Sequence, residues 1–468
     1  MPDSKLDHVN KTGSASTRQA ERKVGRAAGR TARKSLPRSA HARPASTSPA
    51  RADPVDLLRA AELHRVPELV PIRYGRMAAS AFAFLRGSAV VMAADLATQP
   101  DSGIRVQACG DAHLLNFGVF ATPERHLVFD INDFDETLSG PFEWDVKRLA
   151  ASIAVAGRHR GFKASTTDAA LSAALASYRE CMARYAEMRA IDVWYARIDA
   201  DSVEELTRTA DLKAHGRRQL KKGLAQARGR TSLRAFAKLT EVVDGRRRIR
   251  EDPPLLFRVD ADEKLLHDMW AGYRETIPTH VQALLDRYER VDFAVKVVGV
   301  GSVGTRCWIV LLEAGPDDPL ILQVKQAEAS VLEPYAGHSR LRNHGHRVID
   351  GQRRLQAAGD MFLGWTRDPA GQVDYYVRQL WDGKGSVDID QMVPAGFKSY
   401  ASLCGQALAR GHARTGDPAE ISGYLGSGDG FDRAIAKFAD AYADQTQRDH
   451  ARLVEEIAAG RVPAEKVD

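Results

Sequence analysis

Apolar residues recur along the chain with two different periods, which divide it into helical and β-rich stretches. Residues 55–98 and 143–195 carry them at helical spacing, as with Leu149, Ile153 and Val155 in the second stretch. We expect the first stretch to contain helices separated by the polar-aromatic element RYGRM at residues 73–77. Between the two stretches, residues 104–134 are rich in β-formers and predict strands.

After residue 292 the pattern changes to three β-branched runs, FAVKVVGVG, TRCWIVLLE and PLILQVKQ. The turn signal GPDDP at residues 315–319 separates the last two runs and predicts a hairpin. A helix over residues 340–358, strands over 362–365 and 375–380, and a helix over 397–413 are expected to follow.

Charge changes this picture mainly at the N-terminus. Residues 1–52 hold 12 Lys or Arg against 3 acids, whereas the rest of the chain holds 55 and 58. This segment has few large apolar residues, and we expect it to be a disordered basic tail. Such a tail could contact nucleic acid or an acidic surface through counterion release, or it could be a solvated leader without a partner.

Other features limit the class of protein. The N-terminus has no apolar signal-peptide region, and the best membrane candidate, residues 81–97, is interrupted by Arg86. We therefore expect a cytoplasmic protein without a membrane span. The four cysteines form no CxxC pair, so neither zinc nor a disulfide framework is indicated. Residues 203–250 are strongly basic and predict a helix with one basic face, either solvated or anion-binding.

The segment CGDAHLLN carries the first candidate chemistry. Asp111 and Asn116 lie five residues apart, which is the D-x-x-x-x-N spacing of kinase catalytic loops. Phosphoryl transfer needs a carboxylate near the acceptor hydroxyl and oxygen ligands for Mg²⁺. His113 could face the phosphates or pack under the loop. A turn cap and a loop-stabilising amide are the structural alternatives for Asp111 and Asn116.

A second acidic element follows the strand over residues 127–131. Asn132-Asp133-Phe134-Asp135 resembles the metal-binding Asp-Phe-Gly turn, and Asp145 lies twelve residues beyond Asp133 in a predicted helix. Asp130 competes with Asp133 for the metal role, and the spacing to Asp145 favours Asp133.

The nucleotide side is predicted from Gly299, Gly301 and Gly304, which match G-x-G-x-x-G. Because a β-branched run follows them, a kinase-type glycine loop within a hairpin is preferred to a dinucleotide-binding turn. Lys325, 21 residues after Gly304 at the end of a strand, is placed as the lysine that contacts the α- and β-phosphates of ATP. Tight turns and a solvated strand end are the structural alternatives.

These motifs resemble the aminoglycoside phosphotransferase and choline kinase type of enzyme, in which an HGD-x-x-x-x-N loop precedes an I-D-F or I-D-W turn. The resemblance implies ATP and Mg²⁺ as cofactors, Asp111 as catalytic base, Asn116 and Asp133 as metal ligands, and Asp145 as a brace behind the loop. The chain departs from the pattern at Cys109, at Asp135, and in having no clear glutamate partner for Lys325, to which Glu328 and Glu333 are the nearest acids.

The glycine loop follows the catalytic loop instead of preceding it, which a circular permutation would explain. The predicted fold is α/β, or α+β, with two lobes of protein-kinase type. The expected units are the tail (1–52), a helical lobe with the catalytic and metal loops (53–290), a β-rich nucleotide-binding lobe (291–385) and C-terminal helices that pack on the helical lobe (386–468).

Longer motifs, such as FLRG, CGDAHLLNFG, NDFDET, KVVGVGSVGTRC and ALARGHARTGD, resemble an uncharacterised bacterial domain-of-unknown-function family, number twenty-two fifty-two, from about residue 55 onwards. That family leaves the acceptor undefined. The predicted function is transfer of a phosphoryl group from ATP to an unidentified small-molecule or protein hydroxyl. The alternatives are a pseudokinase-type nucleotide-binding module and a metal-dependent phosphoesterase using Gly110-Asp111-x-His113 with Asn343 and His346.

Overall fold

A computed structural model describes residues 9–43, 51–200, 232–258, 263–297, 299, 301, 303–315, 318–380, 385 and 387–466. The helical part before residue 200 consists of α1 (Val9–Ser35), α2 (Pro54–Ala60), α3 (Val70–Ala78), α4 (Ala81–Gly87), α5 (Ala89–Ala97), α6 (Phe142–His159), α7 (Ala164–Tyr185) and α8 (Ala190–Tyr195). The later helices are α9 (Ser232–Leu239), α10 (Glu263–Glu275), α11 (Thr279–Leu285), α12 (Glu333–Ala336), α13 (His344–Leu355), α14 (Pro394–Thr415), α15 (Pro418–Leu425) and α16 (Gly430–Ala458).

The centre of the helical body is formed by α6, α7 and α14. The predicted helical spacing of residues 143–195 is confirmed, because almost every side chain of α6 is buried. Small residues let the helices approach closely: a Cβ atom on Gly405 of α14 would lie 2.1 Å from the Ala174 carbonyl oxygen of α7. The core of the molecule therefore depends on backbone contact as well as on apolar side chains.

Residues 55–98 form helices as predicted, but RYGRM does not separate them. It lies inside α3, with Arg73, Tyr74 and Met77 buried. Charged side chains are usually exposed, so the arginines of this segment predict a surface connection. Arg73 nevertheless lies on the buried face of α3. Among the residues that the structure describes, no helix is both long enough and apolar enough to span a membrane.

The expected disorder of residues 1–52 is wrong for residues 9–43, which form α1 and a 3₁₀ turn at Arg38–Ala42; residues 1–8 and 44–50 lie outside the described part. Gly25 and Gly29 let α1 lie directly against α15. His41 is buried beside the Tyr424 hydroxyl, 2.6 Å from its Nε2. The segment needs few large apolar residues because its glycines replace side-chain packing by close backbone contact.

The β-rich unit is a six-stranded antiparallel sheet. Its strands, in spatial order, are β11 (Gly364–Arg367), β12 (Asp374–Gln379), β10 (Pro319–Ala327), β9 (Cys307–Glu313), β8 (Glu289–Lys296) and β7 (Leu256–Phe257). The hairpins β8–β9 and β9–β10 are confirmed, with Pro319 opposite Glu313 in the second. One face packs on α10 and α11, which precede β8 in the chain. The other face packs on α9 around Phe236.

The described residues also form three two-stranded sheets: β1 (Arg105–Ala108) with β4 (Leu138–Pro141), β2 (Phe117–Ala121) with β3 (Leu127–Ile131), and β5 (Thr240–Val243) with β6 (Arg246–Ile249). The first two confirm the strands predicted over residues 104–134. The third corrects part of the basic helix predicted over residues 203–250: residues 232–239 form the helix α9, but the arginine run 246–248 lies on β6. Residues 203–231 of that prediction lie outside the described part.

Substitution at Gly29 tests the docking of α1. A leucine there would place its Cβ atom 1.9 Å from the Glu420 carbonyl oxygen, so we expect Gly29→Leu to lower the free energy of unfolding by about 1–3 kcal/mol. Ala28→Leu, on the exposed face of the same helix, is the matched control and should change it by less than ~0.5 kcal/mol. Equal midpoints for both variants in urea denaturation would show that α1 does not pack on α15.

Candidate active site

A cleft of about 550 Å³ brings together side chains from the helical body, the loops around β2 and β3, and the β8–β9 hairpin. Its lining includes the site residues predicted from three separate motifs: Asp111, His113, Asn116, Asp133, Gly299 and Gly301. It also includes Asp135, Glu136 and three arginines, Arg65, Arg73 and Arg86, which we call the arginine cluster. A second cavity, of about 480 Å³ between α10 and the sheet, contains none of the predicted site residues.

The loop at Cys109–Asn116 is stabilised by hydrogen bonds to Asp145 of α6. Oδ2 and Oδ1 of Asp145 accept hydrogen bonds from the backbone N–H groups of Cys109 (2.6 Å) and Gly110 (2.9 Å). His412 of α14 lies 3.1 Å from the same carboxylate. Gly110 has φ +85°, and a Cβ atom there would lie 2.2 Å from the Glu136 carbonyl oxygen. Asp145 therefore braces the loop, as the family resemblance implied.

Asp111 is half-buried and fixed by Arg148 of α6. The Arg148 Nε atom donates to Asp111 Oδ1 at 2.8 Å, while Asp111 Oδ2 faces His113 Nε2 at 3.7 Å. The Asn116 amide donates to the Asp111 carbonyl at 2.7 Å, which ties the two predicted residues together. Burial lowers the pKa of His113 to about 4, so this imidazole is neutral at pH 7.

Asp133 and Asp135 lie at the start of the loop after β3 and differ in their electrostatics. Burial, and then the neighbouring Asp135, raises the pKa of Asp133. Burial alone would raise the pKa of Asp135 too, but the charge and hydrogen bond of Lys325 lower it to about 2. Tyr376 of β12 also donates to Asp135, at 2.7 Å. Asp135 is therefore the member of the pair that loses its proton more readily.

Lys325 of β10 makes an ion pair with Asp135, which identifies the acidic partner that the sequence left open. The lysine side chain is 2% exposed. Burial would lower the pKa of Lys325, but Asp135 raises it above its ordinary value. Neither Glu328 nor Glu333 takes this place; Glu328 contacts Gln326, and Glu333 contacts His338.

Asp130 is one of three predicted site residues, with Gly304 and Lys325, that do not line the cleft. Its carboxylate is fully buried on β3, and both oxygens accept from Arg410 of α14, at 2.5 and 2.6 Å. The backbone N–H of Ala357 donates to the same carboxylate at 2.9 Å. Of the two competitors for the metal role, only Asp133 lines the cleft.

The glycine loop joins β8 to β9, as the hairpin prediction required. Gly299 and Gly304 have φ values of +64° and +91°, which explains why glycines occupy these positions. The Arg76 side chain donates to the Gly299 carbonyl at 2.6 Å, and the Arg65 side chain donates to the Val303 carbonyl at 2.5 Å. The loop therefore rests on the segment around α3. Residues 298, 300 and 302 of the predicted motif lie outside the described part.

Three residues of the cleft region, Glu136, Arg347 and Tyr376, were not predicted from the sequence. Glu136 lines the cleft, and burial raises its pKa to about 7. Arg347 of α13 donates to the backbone carbonyls of Thr137, Asp135 and Glu328 at 2.7, 2.8 and 2.7 Å. Tyr376 is the third. A lone acid, arginine or tyrosine carries no spacing signal, so only the fold could show that these residues converge.

Two cleft residues carry oxygen donors of the kind that Mg²⁺ takes as ligands. Asp133 and the Asn116 amide supply oxygens, and Mg²⁺ commonly uses only one or two protein ligands, with waters and phosphates completing its shell. Within the described ranges, no group of three or more His, Cys, Asp or Glu side chains could hold a metal ion without other ligands. Asn343 and His346, needed for the phosphoesterase alternative, cap or lie in α13 and do not line the cleft.

Fold and site together define a mixed α/β protein whose cleft joins a helical body to an antiparallel sheet. A family model described as "uncharacterized protein conserved in bacteria", DUF2252, matches residues 65–456, and the chain belongs to this family. No curated protein and no solved structure matches the chain.

Paired substitutions separate the roles of Asp130 and Asp133. Asp130→Asn leaves the buried charge of Arg410 without its counter-ion, so we expect a loss of about 3–5 kcal/mol of stability in chemical denaturation. Asp133→Asn removes a carboxylate whose ionised form is disfavoured by burial and by Asp135, and should be neutral or slightly stabilising. A reversed order of the two midpoints would contradict this assignment.

Proposed function

We propose that the protein is a phosphotransferase that moves the γ-phosphoryl group of ATP to an acceptor hydroxyl. The observation that supports this most strongly is the ion pair of Lys325 with Asp135, two residues from Asp133. It joins β10, the second strand after the glycine loop, to the loop that carries the candidate metal ligand. Motifs almost two hundred residues apart in the sequence therefore share one cleft.

Asp111 is the proposed catalytic base. Arg148 and the loop brace hold its carboxylate in one orientation, and Oδ2 has the freer surroundings. As the acceptor oxygen forms its bond to the γ-phosphorus, its proton passes to Asp111. The bond between the γ-phosphorus and the β–γ bridging oxygen breaks, and its electron pair stays on ADP. Positioning and electrostatics supply most of the catalysis in such reactions.

The nucleotide would lie between the glycine loop and the acidic loops. Asn116 and Asp133 would hold Mg²⁺, which neutralises charge on the β- and γ-phosphates when bound. Lys325 would contribute a fixed positive charge near the phosphates. The neutral imidazole of His113 could donate one hydrogen bond to a phosphate oxygen without adding a charge.

The proposal includes a circular permutation of the kinase order. It is supported by α14, which lies directly behind the catalytic and metal loops: its His412 contacts Asp145, and its Arg410 binds Asp130. A helix that leads into the catalytic loop would occupy this position in an unpermuted chain. Here the same contacts are made by a segment that follows the sheet in sequence.

A second candidate function is nucleotide binding without turnover. It is favoured by the engagement of both key carboxylates with cations: Asp111 with Arg148, and Asp135 with Lys325. Each ion pair occupies an oxygen of a carboxylate in the site that turnover would require. Tight binding of Mg-ATP without formation of ADP would support this function.

Removal of Asp111 tests turnover. We expect the purified full chain to release ADP from ATP in the presence of Mg²⁺, with water as the default acceptor, and Asp111→Ala to lower that rate roughly 100-fold or more because the base is lost. Chelation of Mg²⁺ with EDTA should abolish the release. Asp440→Asn, in an exposed carboxylate paired with Arg158 on the helical surface, is the control and should keep the wild-type rate.

Binding of Mg-ATP, measured by calorimetry, completes this test. Asp111→Ala should retain the wild-type affinity, since the base acts on the acceptor proton. If ADP release persists unchanged in Asp111→Ala, the proposed base is wrong. If the wild type neither binds nor consumes Mg-ATP, the proposed function is wrong.

A further inference from the structure

The arginine cluster is the part of the cleft that the proposed phosphoryl transfer does not use. Arg73 of α3 is 2% exposed, and its Nη2 atom donates to the Gly87 carbonyl at 2.9 Å. Among the residues that the structure describes, no hydrogen-bond partner is found for its Nε and Nη1 atoms, or for the buried Nε atoms of Arg65 and Arg86. Several N–H donors of one cluster are thus left for a bound group.

Buried cations with unused donors are costly for a fold. Taking a guanidinium out of water costs several kcal/mol unless it is paired and hydrogen-bonded. Burial, with repulsion from Arg65, lowers the pKa of Arg73 to about 9. The acids that face Arg73, Glu62 and Glu328, make no ion pair with it in the described structure. An anion in the cleft would relieve this cost directly.

The position of the cluster indicates which ligand group it would hold. Arg86 and Asp111 line the same cleft, and the charge of Asp111 acts on the Arg86 guanidinium. Arg65 donates to the Val303 carbonyl under the glycine loop. The cluster therefore extends from the base towards that loop. Lys325, the proposed nucleotide group, pairs instead with Asp135 on the loop that carries Asp133.

We propose that Arg73, Arg86 and Arg65 form a subsite for an anionic group, a phosphate or carboxylate, carried by the acceptor. This rests on the proposed function for the identity of the ligand as an acceptor. The acceptor is then a small molecule with an anionic group next to its reacting hydroxyl. Guanidinium groups present planar, paired donors that match phosphate and carboxylate oxygens. The terminal phosphate of the nucleotide has the same chemistry, so the experiment must separate the two sources.

The test is calorimetric titration of inorganic phosphate into the full chain, already saturated with Mg²⁺ and an ATP analogue with a non-hydrolysable β–γ link. The analogue fills any site for the terminal phosphate, so further phosphate reports the acceptor subsite. We expect binding to the wild type, and at least about tenfold weaker binding to Arg73→Gln and Arg86→Gln. Arg354→Gln, an exposed arginine paired with Asp350 on α13, should match the wild type.

Several results would overturn the assignment. In one such result, phosphate binds only when the analogue is absent, and Arg86→Gln binds the analogue more weakly. The arginine cluster would then bind the terminal phosphate of the nucleotide and not the acceptor. Equal phosphate affinity in all variants, or none in the wild type with or without the analogue, would remove the subsite altogether. Thermal unfolding checks that the variants fold. If Arg73→Gln does not fold, Arg86→Gln decides the test, because Arg86 is only half-buried.

Failure of the proposed function has a different signature. If the analogue does not bind, the phosphotransferase proposal fails. Titration of phosphate alone into the same proteins then still tests the subsite, and a tenfold loss in Arg86→Gln would support an anion site in the cleft.

Discussion

The ion pair between Lys325 and Asp135 is the contact on which the relation of sheet to helical body depends. Lys325 belongs to β10 and Asp135 to the loop after β3, and the lysine is almost completely buried. Two charges in such surroundings are tolerated only when they satisfy each other, and Tyr376 supplies a further hydrogen bond to the carboxylate. The sheet therefore has one favourable position over the acidic loops. The cleft, with its glycine loop and arginine cluster, follows from that position.

Much of this arrangement could be predicted from local patterns. Apolar spacing located α6 and the strands β8 to β10, because those segments bury regular faces. Motif spacing selected Asp111, Asn116 and Asp133, which do share a cleft. The partner of Lys325 could not be predicted, since Asp135 stands out in the sequence only as a departure from a glycine, and the acids nearest to Lys325, Glu328 and Glu333, have other partners. An ion pair across 190 residues leaves no local trace.

The errors have a common physical origin. The sequence predicts a connection between helices at RYGRM and disorder over residues 9–43, because both segments are basic and poor in large apolar residues. Arg73 is nevertheless buried within α3, and α1 packs through Gly25 and Gly29. Composition measures how much apolar surface a segment offers, but not how closely its backbone can approach another. Cys109, which stands where the kinase pattern has a histidine, is buried, and its thiol donates to the Asp133 carbonyl at 3.4 Å. Burial raises the pKa of this thiol well above its ordinary value.

Arg347 has a consequence for motion. It binds the main chain of Thr137 and Asp135 together with that of Glu328 just beyond β10, beside the Lys325 ion pair. Rotation of the sheet away from the acidic loops would break both sets of contacts at once. On the other side of the cleft, the Gly299 and Val303 carbonyls accept hydrogen bonds from Arg76 and Arg65, at the segment around α3. The two sides of the cleft are therefore held by different means: a buried ion pair with main-chain contacts on one, and arginine side chains that reach to a turn on the other.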